Sequence, residues 1–166
     1  VWAVTDYKID KLDKGLTKIE SYSLPVSDHS QAIVYSLFAD SKGMVWIGTR
    51  KDGLFKYNRA LNGFVRENLP QRPGLSIENI GSLGEDQWDR LWIGHNRGVV
   101  VLDANNSAFY ENILETSDNK ALNTTVTQIY RTKKGAMALG SYFTGFFHIP
   151  GEESPFSMIS LTGKHL

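Results

Sequence analysis

An all-β fold of repeated, four-stranded antiparallel sheets is what this sequence predicts, and three observations predict it. First, three segments align without gaps on a fixed step: Trp46, Trp92 and Ala138 stand 46 residues apart, and the residues around them match. Second, each unit alternates short apolar, β-branched or aromatic runs with glycine-, asparagine- or aspartate-bearing turns, the signature of hairpins. Third, no apolar stripe keeps a 3.6-residue spacing over a helix-length window, which excludes helical repeats.

The aligned segments begin at Val34, Ile80 and Val126 and run through Trp46-Ile-Gly48-Thr49, Trp92-Ile-Gly94-His95 and Ala138-Leu-Gly140-Ser141. An aromatic residue closes each unit 18 positions after the tryptophan position, at Phe64, Tyr110 and Phe156. The opening Trp2-Ala-Val-Thr5 reads as a further copy that starts in mid-repeat. A period near 46 suits propeller blades and is too long for leucine-rich or ankyrin units. The expected architecture is therefore a β-propeller fragment of three to four blades, at about 1–24 (partial), 30–68, 76–111 and 122–161, forming one partial propeller domain over 1–166.

Within the clearest unit, Val34–Asp40 is the first strand and Ser41-Lys42-Gly43 a turn. Met44–Thr49 is the second strand, and Lys51-Asp52-Gly53 turns the chain into Leu54–Tyr57. Leu61-Asn62-Gly63 then precedes the last strand, Phe64–Glu67. Gly43 and Gly135 occupy a turn position that needs positive φ, and Asp89 takes that place in the middle copy. Gly48, Gly94 and Gly140 follow the apolar pair of each second strand, where a side chain would crowd the neighbouring blade. Trp46 and Trp92 are expected to be wedges between blades, each burying about 200 Å². Ala138 has lost that wedge, and Met137, Phe146 and Phe147 are expected to fill part of the gap.

Composition narrows function by exclusion. The 166 residues carry 18 Lys plus Arg against 18 Asp plus Glu, a formal charge of zero. This balance argues against a whole-surface electrostatic grip on nucleic acid or an anionic membrane. No run approaches the length of a membrane span, and with no cysteine there are no disulfides, thiolate metal sites or thiol nucleophiles. The chain opens without a basic-plus-apolar leader, as a mature piece or an excised segment would.

No candidate chemistry assembles from the motifs. The four histidines share no metal-ligand spacing, and His29, His148 and His165 read as surface residues. Glu85-Asp86-Gln-Trp-Asp89 lacks the alternating oxygens, central glycine and distal glutamate of a calcium loop. Asp40 and Asp86 hold one repeat position, as turn caps would. Glu152 and Glu153 are adjacent, so on a strand they point to opposite faces and cannot flank one glycosidic bond. Asn105-Asn-Ser107 and Asn123-Thr-Thr125 match the glycosylation acceptor pattern by chance. Neither a catalytic residue nor a metal or cofactor is expected.

The units Asp40-Ser-Lys-Gly-Met-Val-Trp-Ile-Gly-Thr49 and Asp86-Gln-Trp-Asp-Arg-Leu-Trp-Ile-Gly-His95, with Asp52-Gly-Leu-Phe-Lys-Tyr57, resemble the two-component-regulator propeller repeat. The resemblance covers about residues 2–156, with the last copy lacking both Trp and Asp. It implies the periplasmic sensor region of a bacterial hybrid two-component protein, anchored in the inner membrane, whose propeller recognises an oligosaccharide. Signal then passes to a cytoplasmic histidine kinase and on through a phosphorelay, none of which lies in this chain. Alternatives are the sensor of another membrane receptor such as a diguanylate cyclase, a polysaccharide-processing propeller enzyme, or a purely architectural blade set.

Ligands of propellers meet loops between second and third strands, here Thr5-Asp6-Tyr7, Thr49-Arg50-Lys51, His95-Asn96-Arg97 and Ser141-Tyr142-Phe143. Arg50, Lys51, His95, Asn96, Arg97 and Tyr142 are the candidate ligand-binding residues. Arg and Lys suit carboxylate or sulfate, Asn pairs with hydroxyls and Tyr stacks on a sugar ring, which fits a saccharide, including an acidic one. The expected partners are that oligosaccharide and further blades of a parent protein, or a second copy of the chain, since about 3.6 repeats fall short of the 4–8 blades that close a ring. No direct contact with nucleic acid or membrane is expected of this segment.

Overall fold

In a computed structural model the described residues are 1–5, 8–26, 33–69, 77–103, 109–111, 124–142 and 144–151. They form fourteen strands and no helix, so the fold is all-β. Contacts divide the chain into two compact units, 1–80 and 81–166.

In the first unit, β1 (Trp2–Thr5), β2 (Lys8–Leu12) and β3 (Lys18–Tyr22) make a three-stranded antiparallel meander. A four-stranded meander follows: β4 (Val34–Ala39), β5 (Val45–Thr49), β6 (Leu54–Asn58) and β7 (Gly63–Arg66). Each strand lies within one residue of the run read from the sequence. Ile9 and Tyr22 from the first sheet, Leu24 just after it, and Val45, Ile47, Phe55 and Phe64 from the second sheet bury one shared core. Two sheets face to face over such a core are adjacent propeller blades. Trp2 is the wedge between them, its ring centroid 5.0 Å from that of Tyr57 and 5.8 Å from that of Phe64. The polar tips of this aromatic group satisfy one another: Tyr57 Oη donates to Asn62 Oδ1 at 2.6 Å, and Asn62 Nδ2 donates to Glu20 Oε1 at 2.7 Å.

The second unit repeats the plan. β8 (Ile80–Glu85), β9 (Leu91–His95), β10 (Gly98–Leu102) and β11 (Phe109–Glu111) form one sheet, and β12 (Val126–Arg131), β13 (Met137–Ser141) and β14 (Gly145–Ile149) the next. Trp92, Val99 and Val101 from one sheet interleave with Val126, Met137, Leu139, Phe147 and Ile149 from the other. Trp92 is 1% exposed and is the wedge that the repeat predicts. Gly94 explains the spacing of these sheets. A Cβ there would stand 2.9 Å from the Val126 carbonyl oxygen and collide with Ser82 Oγ. β4 and β12 even carry a bulge at the same repeat position, after Val34 and Val126.

One expectation about the Ala138 gap needs correction. Met137 and Phe147 enter the core with Trp92, on the face opposite Ala138, so they do not fill its gap; Phe146 shares the Ala138 face but is 66% exposed. The pleat decides this: Phe146 pairs with Gly140 and His148 with Ala138, so Phe146 stands on the face away from Trp92. Tyr130, 64% exposed, shares that face through its pairing with Ala138. Phe156, Glu152, Glu153, Asn105, Asn123, His29 and His165 lie outside the described residues.

Candidate functional site

The first hairpins of the second and third sheets are each locked by an aspartate. Asp40 Oδ1 accepts the Lys42 and Met44 amides at 3.0 and 2.8 Å, while Oδ2 accepts Trp46 Nε1 at 2.9 Å. Asp86 does the same for the Trp88 and Arg90 amides, at 2.9 and 3.1 Å, and for Trp92 Nε1 at 2.8 Å. Asp86 also receives Arg90 Nε at 2.6 Å, and the Arg90 guanidinium stacks 4.5 Å over the exposed Trp88 ring. Asp89 adopts φ 59, the left-handed turn position that Gly43 and Gly135 hold elsewhere. Asp40 and Asp86 are thus turn caps that also aim the wedge. The sequence carried the signal for that second role: Asp and Trp sit six apart in two copies and vanish together as Thr132 and Ala138.

The turns at the other end of the second strands carry the candidate ligand residues, and the last residue of each strand builds its turn. Thr49 Oγ1 donates to the Gly53 carbonyl and accepts the Asp52 amide, both at 2.9 Å, from a fully buried position. Ser141 Oγ accepts the Thr144 amide at 3.0 Å and joins the Thr124 and Thr144 hydroxyls. His95 does this work in the third sheet. It is the final residue of β9 rather than a loop residue, with 0% exposure. Its Nδ1 accepts the Arg97 amide at 3.3 Å, which places the ring proton on Nε2. Among the described residues, Nε2 has no hydrogen-bond partner. Burial first, and then the nearby Arg97 charge, push the His95 pKa below the ordinary imidazole value, against an opposing pull from the Asn96 side chain.

Arg50 and Lys51 are exposed on the β5–β6 turn, where the Arg50 amide donates to the Ile33 carbonyl at 2.9 Å. Asn96 and Arg97 are exposed on the β9–β10 turn, and Tyr142 is 73% exposed after β13. The structure brings the last three onto one rim. Thr125 Oγ1 donates to the Asn96 carbonyl at 3.4 Å, and the Thr125 carbonyl accepts the Tyr142 amide at 3.1 Å. Thr124, Thr125 and Thr144 therefore brace this rim, a role that sequence reading missed because threonine in a loop has no distinguishing pattern. Asp6, Tyr7 and Phe143 of the candidate loops are outside the described residues.

Residues 29–51 match the family described as two component regulator propeller, so this segment carries that repeat. No curated protein matches the chain in sequence. Among solved structures, the extracellular domain of BT4673 from B. thetaiotaomicron, described as a putative one component system, aligns with TM-score 0.69 and 24% identity over 89% of this chain and 19% of that one. A second structure of BT4673, described as a putative hybrid two component system, aligns at 0.68 and 22% over the same shares. The extracellular domain of the putative hybrid two component system BT3049, from the same organism, aligns at 0.66 and 18%, covering 97% of this chain and 21% of that one. Streptogramin B lyase aligns at 0.62 and 19%, covering 90% and 50%. The chain spans about a fifth of the length of the first three. These likenesses show the fold, a β-propeller fragment.

Proposed function

We propose that this chain is a ligand-sensing part of an extracytoplasmic propeller, in the periplasmic region of a hybrid two-component protein, and that it is not itself an enzyme. The observation that carries the reading is the rim of the second unit, where Asn96, Arg97 and Tyr142 stand exposed on turns that Thr125 ties together. Arg97 offers a planar fork of donors, Asn96 pairs with vicinal hydroxyls, and Tyr142 offers a ring face; together they suit an oligosaccharide, including an acidic one. Arg50 and Lys51 present the same chemistry on the first unit. His95, buried under its turn, is a positioning residue that sets the Arg97 backbone. The repeat at 29–51 and the descriptions of the BT4673 and BT3049 domains support a sensor whose signal leaves for a separate cytoplasmic kinase. Further blades of a parent protein, or a second copy, are the expected structural partners.

A glycan array followed by calorimetry tests this reading. An oligosaccharide should bind, and Arg97→Ala and Tyr142→Ala should each weaken it about tenfold, the loss of one good polar or stacking contact. Unaltered affinity in both variants removes the rim from the site. The likeness to streptogramin B lyase favours a second reading, a lyase-type enzyme. Turnover of a pooled glycan by the purified chain would decide for it.

A further inference from the structure

At the opposite end of β13 from Tyr142 lies an open concavity of about 470 Å³, lined by Gln87, Arg131, Thr132, Lys133, Lys134 and Gly135. We infer that it is a binding site for a tetrahedral oxyanion, a sulfate or phosphate group, separate from the oligosaccharide rim. Repeat arithmetic isolates its charge. Residues 85–89 carry Glu85, Asp86 and Asp89 with no cation, whereas the equivalent residues 131–135 carry Arg131, Lys133 and Lys134 with no anion. In a chain of zero formal charge, this is a local reversal and not a general basicity.

The walls are built rather than incidental. Gln87 Nε2 donates to the Gly151 carbonyl, which fixes its side chain across the hairpin. Gly135 has φ +85, and a Cβ on it would collide with the Gln87 carboxamide. A Cβ on Gly151 would come within 2.6 Å of the Ala136 nitrogen, so the chain closes over the hairpin as bare backbone. Arg131 Nη1 donates to the Asp86 carbonyl at 2.7 Å, which anchors the guanidinium and leaves its remaining N–H groups as donors. The Asp86 carboxylate does not compete, because Arg90 and Trp92 hold it on its own side. Among the described residues no carboxylate pairs with Arg131, Lys133 or Lys134.

One further observation marks the centre of the site. Asp40 and Asp86 each present a carboxylate to the amide two residues on, that of Lys42 or Trp88. In the last sheet this position is Thr132, whose buried Oγ1 has no partner among the described residues, and the corresponding amide is that of Lys134. An oxyanion seated in the concavity restores the lost negative charge, accepting from Arg131 and the lysines.

Titration of the full chain, followed by amide chemical shifts, tests the inference with inorganic sulfate, inorganic phosphate, and glucose 6-sulfate against glucose. An oxyanion probe should shift residues 131–135, with affinity falling as salt rises. Lys133→Gln/Lys134→Gln, which touches only exposed side chains, should weaken binding about tenfold, and Arg131→Gln should do so with circular dichroism unchanged. A preference for glucose 6-sulfate over sulfate assigns the site to a sugar-borne ester; equal binding assigns it to the free ion. Equal affinity of the wild type and the lysine variant overturns the inference. So does binding that appears only after Glu152→Gln/Glu153→Gln, since the chain's own acids would then hold the site. Neither result bears on Arg97 or Tyr142.

Discussion

Asp86→Thr and Trp92→Ala, made singly and together, test whether cap and wedge act as one device. The Trp92 side chain is 1% exposed. Burying about 200 Å² at about 25 cal/mol per Å² gives about 5 kcal/mol, an upper bound because the denatured chain already hides part of that surface. A cost of about 4 kcal/mol is expected for Trp92→Ala. Asp86 keeps the Trp88 and Arg90 amides and Arg90 Nε after this change, so no buried charge is orphaned. Asp86→Thr strips an acceptor from two amides, from Arg90 and from the indole, and should cost about 3 kcal/mol. Once the wedge is gone, the cap has less to hold. The double variant should therefore lose about 5 kcal/mol, some 2 kcal/mol less than the sum. Thr132 and Ala138 are this double variant already present in the fourth sheet. Urea unfolding followed by circular dichroism reads all four corners of the cycle, with Asp86→Asn and Trp92→Phe as a gentler cycle of the same sign. Additivity within about 0.5 kcal/mol would refute the coupling.

Gly94→Ala should destabilise by about 1–3 kcal/mol, because the added Cβ meets the Val126 carbonyl of the adjacent sheet; a neutral effect in the same urea titration would contradict the stacking. His95 binds a proton less readily folded than unfolded, so folding stability should be full above the ordinary imidazole value of about 6.5 and fall as pH drops below it. His95→Thr, which copies the turn of Thr49, should flatten that slope in melts between pH 7.5 and 5. Tyr130→Ser/Phe146→Ser removes two exposed rings from one sheet face and should lower self-association in sedimentation at high concentration; an unchanged distribution would show that this face does not pair.

The strand plan was legible because the 46-residue step superposes three noisy copies, so Trp46, Trp92 and their turns reinforce one another. The burial of His95 was not. A histidine in place of Thr at a strand end looks like a loop residue until the turn is closed and its Nδ1 accepts the Arg97 amide. Met137 and Phe147 were misplaced for a related reason. Two adjacent aromatics in Phe146-Phe147 must face opposite ways on a strand, and only the register with Gly140 and Leu139 says which one enters the core. Asn96, Arg97 and Tyr142 could be named as exposed loop residues, but their shared rim depends on Thr125, a link across 29 residues to Asn96 that no local pattern encodes.

The blade-on-blade stacking is tested most directly by nuclear Overhauser effects from the Trp92 indole in a methyl-labelled sample. Cross-peaks to Met137, Leu139 and Val126 should be strong, since all four share one core. An indole that shows contacts only to residues of its own sheet, or that is quenched freely by acrylamide, would contradict the account.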